Sequence, residues 1–118
     1  MATTFYLPTK VVFGVRAIQE LGKEAKELGK KAIIVTYPDI RRVGLLDRIV
    51  EDLKANRVDS VVFDKIEPNP RSTTIDEGAK LARDQKVDLV IGLGGGSVMD
   101  SAKGIALASS GSESVWQY

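Results

Sequence analysis

The sequence predicts an α/β fold, a doubly wound parallel sheet of Rossmann-like type, and three observations carry that prediction. Short runs rich in β-branched residues alternate with stretches in which apolar residues recur at helical spacing. The alternation repeats three times with short connections, and right-handed crossovers then lay the three core strands parallel, with helices on both faces. The first core strand, with its run Ala-Ile-Ile-Val, does not alternate apolar with polar residues, as expected where both faces are covered.

Each element follows in order. Phe5 to Leu7 and Val11 to Phe13 are β-rich runs separated by Pro8, and read as a bent pair of strands or a hairpin, a short N-terminal β addition to the domain. Ile18, Leu21, Ala25 and Leu28 form one apolar stripe on a helix from about Arg16 to Leu28, which Gly29 ends. Lys31 to Thr36 contains Ala-Ile-Ile-Val, short and unalternating, and reads as a strand buried on both faces. Leu45, Leu46, Ile49, Val50 and Leu53 make the next helical stripe, and a strand follows at Ser60 to Phe63. After Glu67-Pro68-Asn69-Pro70, Thr74 and Glu77 have the spacing of a capping box ahead of Ala79, Leu81 and Ala82. That helix leads to a strand at Leu89 to Ile91, three glycines, and a last helix beginning near Ser97.

Composition narrows the function. The length of 118 residues suits one domain, residues 1–118, and is short for a two-domain enzyme. Lys and Arg number 17 against 16 Asp and Glu, a formal charge of +1 that offers no footprint for nucleic acid or an anionic membrane. The chain has no Cys, which excludes disulfides and thiolate chemistry, and no His, which removes the commonest general base and neutral metal ligand. Any metal held by these residues would need carboxylates alone. The N-terminus has no basic start before an apolar core, and no stretch approaches the roughly 20 apolar residues of a membrane span. A soluble, cytoplasmic protein is the expectation. Trp116 and Tyr118 close the chain just after a Ser/Gly turn, which reads as an element cut short or a docked tail.

The segment richest in chemistry is Asp88 to Ala108, where an apolar strand runs through Gly94, Gly95 and Gly96 into a Ser-headed, Ala-rich helix. Glycines there let the backbone turn sharply and approach a ligand, and the helix start points free N–H groups and its positive dipole end at an anion. The pattern reads as a phosphate cradle; the bland alternative is a tight packing turn. The Gly-x-Gly-x-x-Gly fingerprint is not met, because Ser97 stands where its third glycine belongs, and there is no P-loop signature. Asp100 and Lys103 share a face of the last helix: Asp100 can accept from a ribose hydroxyl and Lys103 can reach a phosphate or carbonyl, or the two form an ordinary surface ion pair. Thr36-Tyr37-Pro38-Asp39-Ile40-Arg41-Arg42 follows the first core strand, on the edge where α/β sheets place ligands. Asp39 there suits ribose hydroxyls and the arginines a 2′-phosphate, or the segment is a solvated turn. Asn69, between two prolines on the same edge, is a hydrogen-bonding arm or part of a rigid connector.

On these segments the chain resembles the iron-containing, group III alcohol dehydrogenases, in their N-terminal NAD(P)-binding domain. The most specific element is Gly94-Gly-Gly-Ser-Val-Met-Asp-Ser-Ala-Lys103, supported by Leu7-Pro-Thr-Lys-Val-Val-Phe-Gly14, Pro68-Asn-Pro70 and Val115-Trp-Gln-Tyr118. The resemblance implies that Gly94, Gly95, Gly96 and Ser97 bind the pyrophosphate of NAD or NADP. It implies that Asp100 and Lys103 line the cofactor cleft, that Asn69 lies near the cofactor, and that the loop at Tyr37 and Asp39 governs which nucleotide is taken. Tyr37-Pro38-Asp39 matches neither the NAD nor the NADP pattern of the family, while Tyr37 and the arginines favour NADP. The resemblance further implies a small alcohol or aldehyde substrate, a homodimer formed through the N-terminal strands, and a second, all-helical domain whose Asp and three His bind iron or zinc. This chain includes no such helical domain and no catalytic residue of its own, so it is expected to be the N-terminal half of a two-domain oxidoreductase and silent alone. The glycerol dehydrogenase and dehydroquinate synthase branch, which shares the glycine loop, is the neighbouring alternative. A free-standing nucleotide-binding module is the alternative from another class. A response-regulator-like domain fits poorly, since Thr36 and Tyr37 end the first core strand where paired acids belong.

Overall fold

The structure is a computed structural model that describes residues 10–12, 21–68 and 72–109. Four strands form one sheet in the order β1-β4-β2-β3, every neighbouring pair parallel. The strands are β1 (Lys10–Val12), β2 (Lys31–Thr36), β3 (Asp59–Phe63) and β4 (Leu89–Leu93). The helices between and after them are α1 (Leu21–Leu28), α2 (Leu45–Ala55), α3 (Ser72–Asp84) and α4 (Gly96–Ser109).

Side-chain parity along the two inner strands assigns each face its helices. Ala32 and Ile34 of β2 and Leu89, Ile91 and Leu93 of β4 turn toward Ala25 of α1 and Leu46, Ile49 and Leu53 of α2. Ile33, Val35 and Val90 turn the other way, onto Ala82 of α3 and Val98, Ala102, Ile105 and Ala106 of α4. Helix–sheet–helix layering results, α1 beside α2 and α3 beside α4. The close approach of α3 and α4 depends on Gly78, where any side chain would run into Ile105.

Several sequence expectations change in detail. The short N-terminal β addition pairs with the main sheet: Lys10–Val12 is its edge strand, parallel to and in register with Leu89–Ile91. Its expected partner, Phe5 to Leu7, lies outside the described residues, as do Trp116 and Tyr118. The Thr74/Glu77 capping box does not form, because α3 already begins at Ser72 and both residues sit inside it; Glu77 instead pairs with Lys65 at 3.4 Å on the surface. The segment after β2 is a 3-10 helix, Pro38–Val43, with Pro38 in its first turn and Gly44 closing it at φ +70°. Proline presets the φ of that turn, and glycine takes the left-handed exit without a Cβ clash.

Gly29 ends α1 for a reason of space. Its N–H still bonds the Ala25 carbonyl at 2.9 Å, and a Cβ there would collide with the carboxylate of Asp88. That carboxylate accepts from the Lys30 and Lys31 N–H groups at 2.9–3.0 Å, so the residue before β4 binds the start of β2. Helices α2 and α3 end alike: Val58 N–H reaches back to Leu53 O and Val87 N–H to Ala82 O, with Arg57 and Lys86 in the left-handed region at φ 64° and 55°. This is the Schellman closure with a basic residue where glycine is usual.

Arg57→Gly and Lys86→Gly should each stabilise the fold by about 0.5–1 kcal/mol, because glycine carries no left-handed penalty. Asp88→Ala should destabilise it by about 2 kcal/mol through two amide groups left without their charged acceptor. Urea unfolding of the three variants against wild type measures all of these, and a neutral Asp88→Ala would remove the carboxylate's assigned role.

Candidate functional site

The loops at the carboxyl ends of β2 and β4 meet. Thr36 and Leu93 are register partners at the last positions of these strands, and the next residues are Tyr37 and Gly94. The chain leaving β2 goes to α2 on one face, and the chain leaving β4 goes to α4 on the other. Divergence of neighbouring connections opens a crevice above the strand ends, where ligands of open α/β sheets bind.

Local sequence builds the floor of that crevice. Gly94 has φ +149°, a conformation reserved in practice for glycine, and a Cβ there would stand 2.8 Å from Val98 Cγ2 and 3.3 Å from Tyr37 Cδ1. The underside of the turn is therefore filled by the buried Val98 and the half-buried Tyr37. Its upper side is different: a Cβ on Gly95 or Gly96 would meet nothing within 4 Å. The Met99 N–H makes the first bond of α4, to Gly95 O at 3.0 Å, so the N–H groups of Gly96, Ser97 and Val98 have no partner within the helix. A turn open on top, with unpaired donors at the positive end of a helix dipole, suits an oxyanion such as a phosphate.

Ser97 lies within the first turn of α4 and is not its cap, since the helix starts one residue earlier; glycine at 95 precedes it. Its side chain is exposed. Asp100 and Lys103 are exposed on the flank of α4 turned away from the sheet, opposite the buried Val98, Ala102 and Ile105. Lys103 starts about 10 Å along the helix from Gly96 at 1.5 Å per residue, farther than a lysine side chain extends. Asp39 is exposed in the first turn of the 3-10 helix beyond Tyr37. Gly94, Gly95, Gly96, Ser97, Tyr37 and Asp39 thus gather at one edge, and Asn69 lies outside the described residues.

Sequence reasoning misses two polar anchors. The Thr36 hydroxyl, fully buried, donates to Leu93 O at 2.7 Å, and Asp88 fastens the opposite edge of the same strand pair. A threonine closing an otherwise apolar strand is the available signal for the first; a single acid before a strand gives none for the second.

The architecture defines a doubly wound α/β protein with a glycine turn at its ligand edge. Residues 8–118 match the family described as iron-containing alcohol dehydrogenase, and the chain belongs to that family. It is 38% identical over 116 residues to choline dehydrogenase of Bacillus subtilis, covering 98% of this chain and 29% of that protein. It is 40% identical over 105 residues to NADH-dependent butanol dehydrogenase B of Clostridium acetobutylicum, covering 88% of this chain and 27% of that one. The crystal structure of NADH-dependent butanol dehydrogenase A from Thermotoga maritima superposes with a TM-score of 0.77 at 34% identity, over 98% of this chain and 30% of that chain. The chain therefore spans under a third of the length of these relatives.

Among the described residues no group of three or more His, Cys, Asp or Glu side chains is placed to hold a metal ion. These residues do not fit the family's iron, and no step assigned to them passes through it. Among the same residues no helix is long and apolar enough to cross a membrane.

Gly94→Ala should cost about 1–3 kcal/mol, through both its forced φ and the Val98 clash. Gly95→Ala should leave stability within about 0.5 kcal/mol of wild type. Thermal unfolding of the pair checks the division of the turn into a packed underside and an open top, and equal losses would contradict it.

Proposed function

We propose that residues 1–118 are one dinucleotide-binding domain, the N-terminal half of a two-domain alcohol dehydrogenase that moves hydride between a small alcohol or aldehyde and NAD(P). The observation that supports this most is the open-topped turn at Gly95 and Gly96, next to the end of β2 and at the start of α4. In the proposal Gly94, Gly95, Gly96 and Ser97 hold the pyrophosphate through backbone N–H groups. Tyr37 and Asp39 flank the adenosine ribose, Asn69 lies at the cofactor, and Asp100 and Lys103 line the cleft. The nicotinamide supplies the hydride chemistry, and the residues of this chain bind and orient it. The metal centre belongs, in the same proposal, to the second domain, which is why this half is silent alone. Cytoplasmic location and a homodimer through the N-terminal strands complete the reading.

The choice of nucleotide rests on the loop after β2. Tyr37 and the arginines favour NADP; the names of two relatives carry NADH, and Asp39 suits an unphosphorylated ribose. Calorimetric titration of the purified protein with NADPH and with NADH decides between them. Saturable binding of one or both is expected, and Gly95→Leu should weaken it at least about tenfold while the protein still melts cooperatively, since that side chain would occupy the space assigned to phosphate. No binding of either nucleotide at millimolar concentration by folded protein would overturn the assignment.

A further inference from the structure

We propose that Thr36 is a positioning residue for the dinucleotide site, holding the three ligand-edge loops in register through one buried hydroxyl and one carbonyl. The proposal rests on the dinucleotide reading above. Thr36 is fully buried at the last position of β2. Its hydroxyl donates to Leu93 O at 2.7 Å, and Leu93 immediately precedes the glycine turn. Its own carbonyl accepts from Ile66 N–H at 3.1 Å, in the connection after β3. Its next neighbour, Tyr37, packs beneath Gly94. One residue therefore joins the ends of β2 and β4 to the connection after β3, the three segments that lead into the candidate cofactor residues.

The hydroxyl bond has a specific consequence for the turn. Leu93 O belongs to the peptide whose nitrogen is that of Gly94, so fixing this carbonyl fixes the plane from which Gly94 departs at φ +149°. At the final pair of a parallel ladder a strand has no further neighbour to hold it, and Thr36 supplies a side-chain bond there. Without the hydroxyl, the Leu93 carbonyl loses this buried donor and its peptide is held less firmly. The Gly95 and Gly96 amides follow that peptide. They are the groups proposed to meet phosphate, so the loss should appear in nucleotide affinity as well as stability.

The test uses two pairs of variants that differ chiefly in the hydroxyl: wild type against Thr36→Val, and Thr36→Ser against Thr36→Ala. The readouts on the purified protein are the dissociation constant for the preferred nucleotide and amide hydrogen exchange at Gly94, Gly95 and Gly96. The hydroxyl-free member of each pair should bind about tenfold more weakly and exchange faster at the turn, and Thr36→Ser should bind like wild type even though its missing methyl lowers the melting temperature. If Thr36→Val does not fold, the Ser and Ala pair decides alone. Equal affinities within each pair, with wild type binding normally, would overturn the proposal and leave the dinucleotide reading standing. Failure of wild type itself to bind either nucleotide would overturn both.

Discussion

Strands β2 and β4 are buried on both faces, with all five residues of β4 and the last five of β2 inside the protein. Apolar strands of this kind cannot face water on either side, so each face must carry helices. Parallel pairing then requires every connection to cross from one end of the sheet to the other. Those two requirements place every strand-to-helix loop at one edge. Right-handed crossovers that run one way along the sheet from β2 to β3 and back from β3 to β4 put α2 on one face and α3, with α4 beside it, on the other, which opens the crevice between the chains leaving β2 and β4.

The same strand pair is fastened by polar contacts at both ends, with opposite chemistry. At the amino edge Asp88 accepts from two backbone amides of the β2 start, and Gly29 leaves room for its carboxylate. At the carboxyl edge Thr36 donates to Leu93 O. Apolar burial supplies the bulk of the driving force but is tolerant of small shifts, whereas a buried carbonyl without its donor is costly. Side-chain packing thus sets which strands pair, and these few polar contacts help fix how their ends are held. The glycine turn inherits that order: a packed underside and an open upper face at the start of α4.

Membership of the iron-containing alcohol dehydrogenases fits this division of labour. In the proposed reading, a sheet edge with backbone donors recognises the charged, invariant part of a dinucleotide and asks little of side-chain chemistry, which is consistent with a segment lacking His and Cys. Acid–base and metal chemistry draw most often on His. In the relatives, whose lengths exceed this chain more than threefold, there is ample polypeptide to provide it.

The strand at Ala-Ile-Ile-Val, the stripe through Leu46, Ile49 and Leu53, and the glycine turn are legible in the sequence because each depends on residues close together in the chain. Periodicity, turn geometry and helix polarity are local, so fold class, strand identity and the phosphate-like turn can be read directly. Other features depend on partners far apart. Lys10–Val12 joins β4, some 79 residues on, because that edge has an unpaired ladder, which no local pattern announces. Thr74 and Glu77 have cap spacing, yet α3 starts earlier because the helix is positioned by Gly78, Ala79 and Ala82 against α4 and the sheet. Gly29 has the look of a helix stop, but the space it leaves is for Asp88. Thr36 has the look of a strand end, and only the meeting of β2 with β4 gives its hydroxyl a carbonyl to hold. The sequence by itself determined which segments are strands, helices and the open glycine turn; tertiary structure alone decided which distant backbone groups those side chains satisfy, because a buried donor chooses its acceptor from whatever folding brings within about 3 Å.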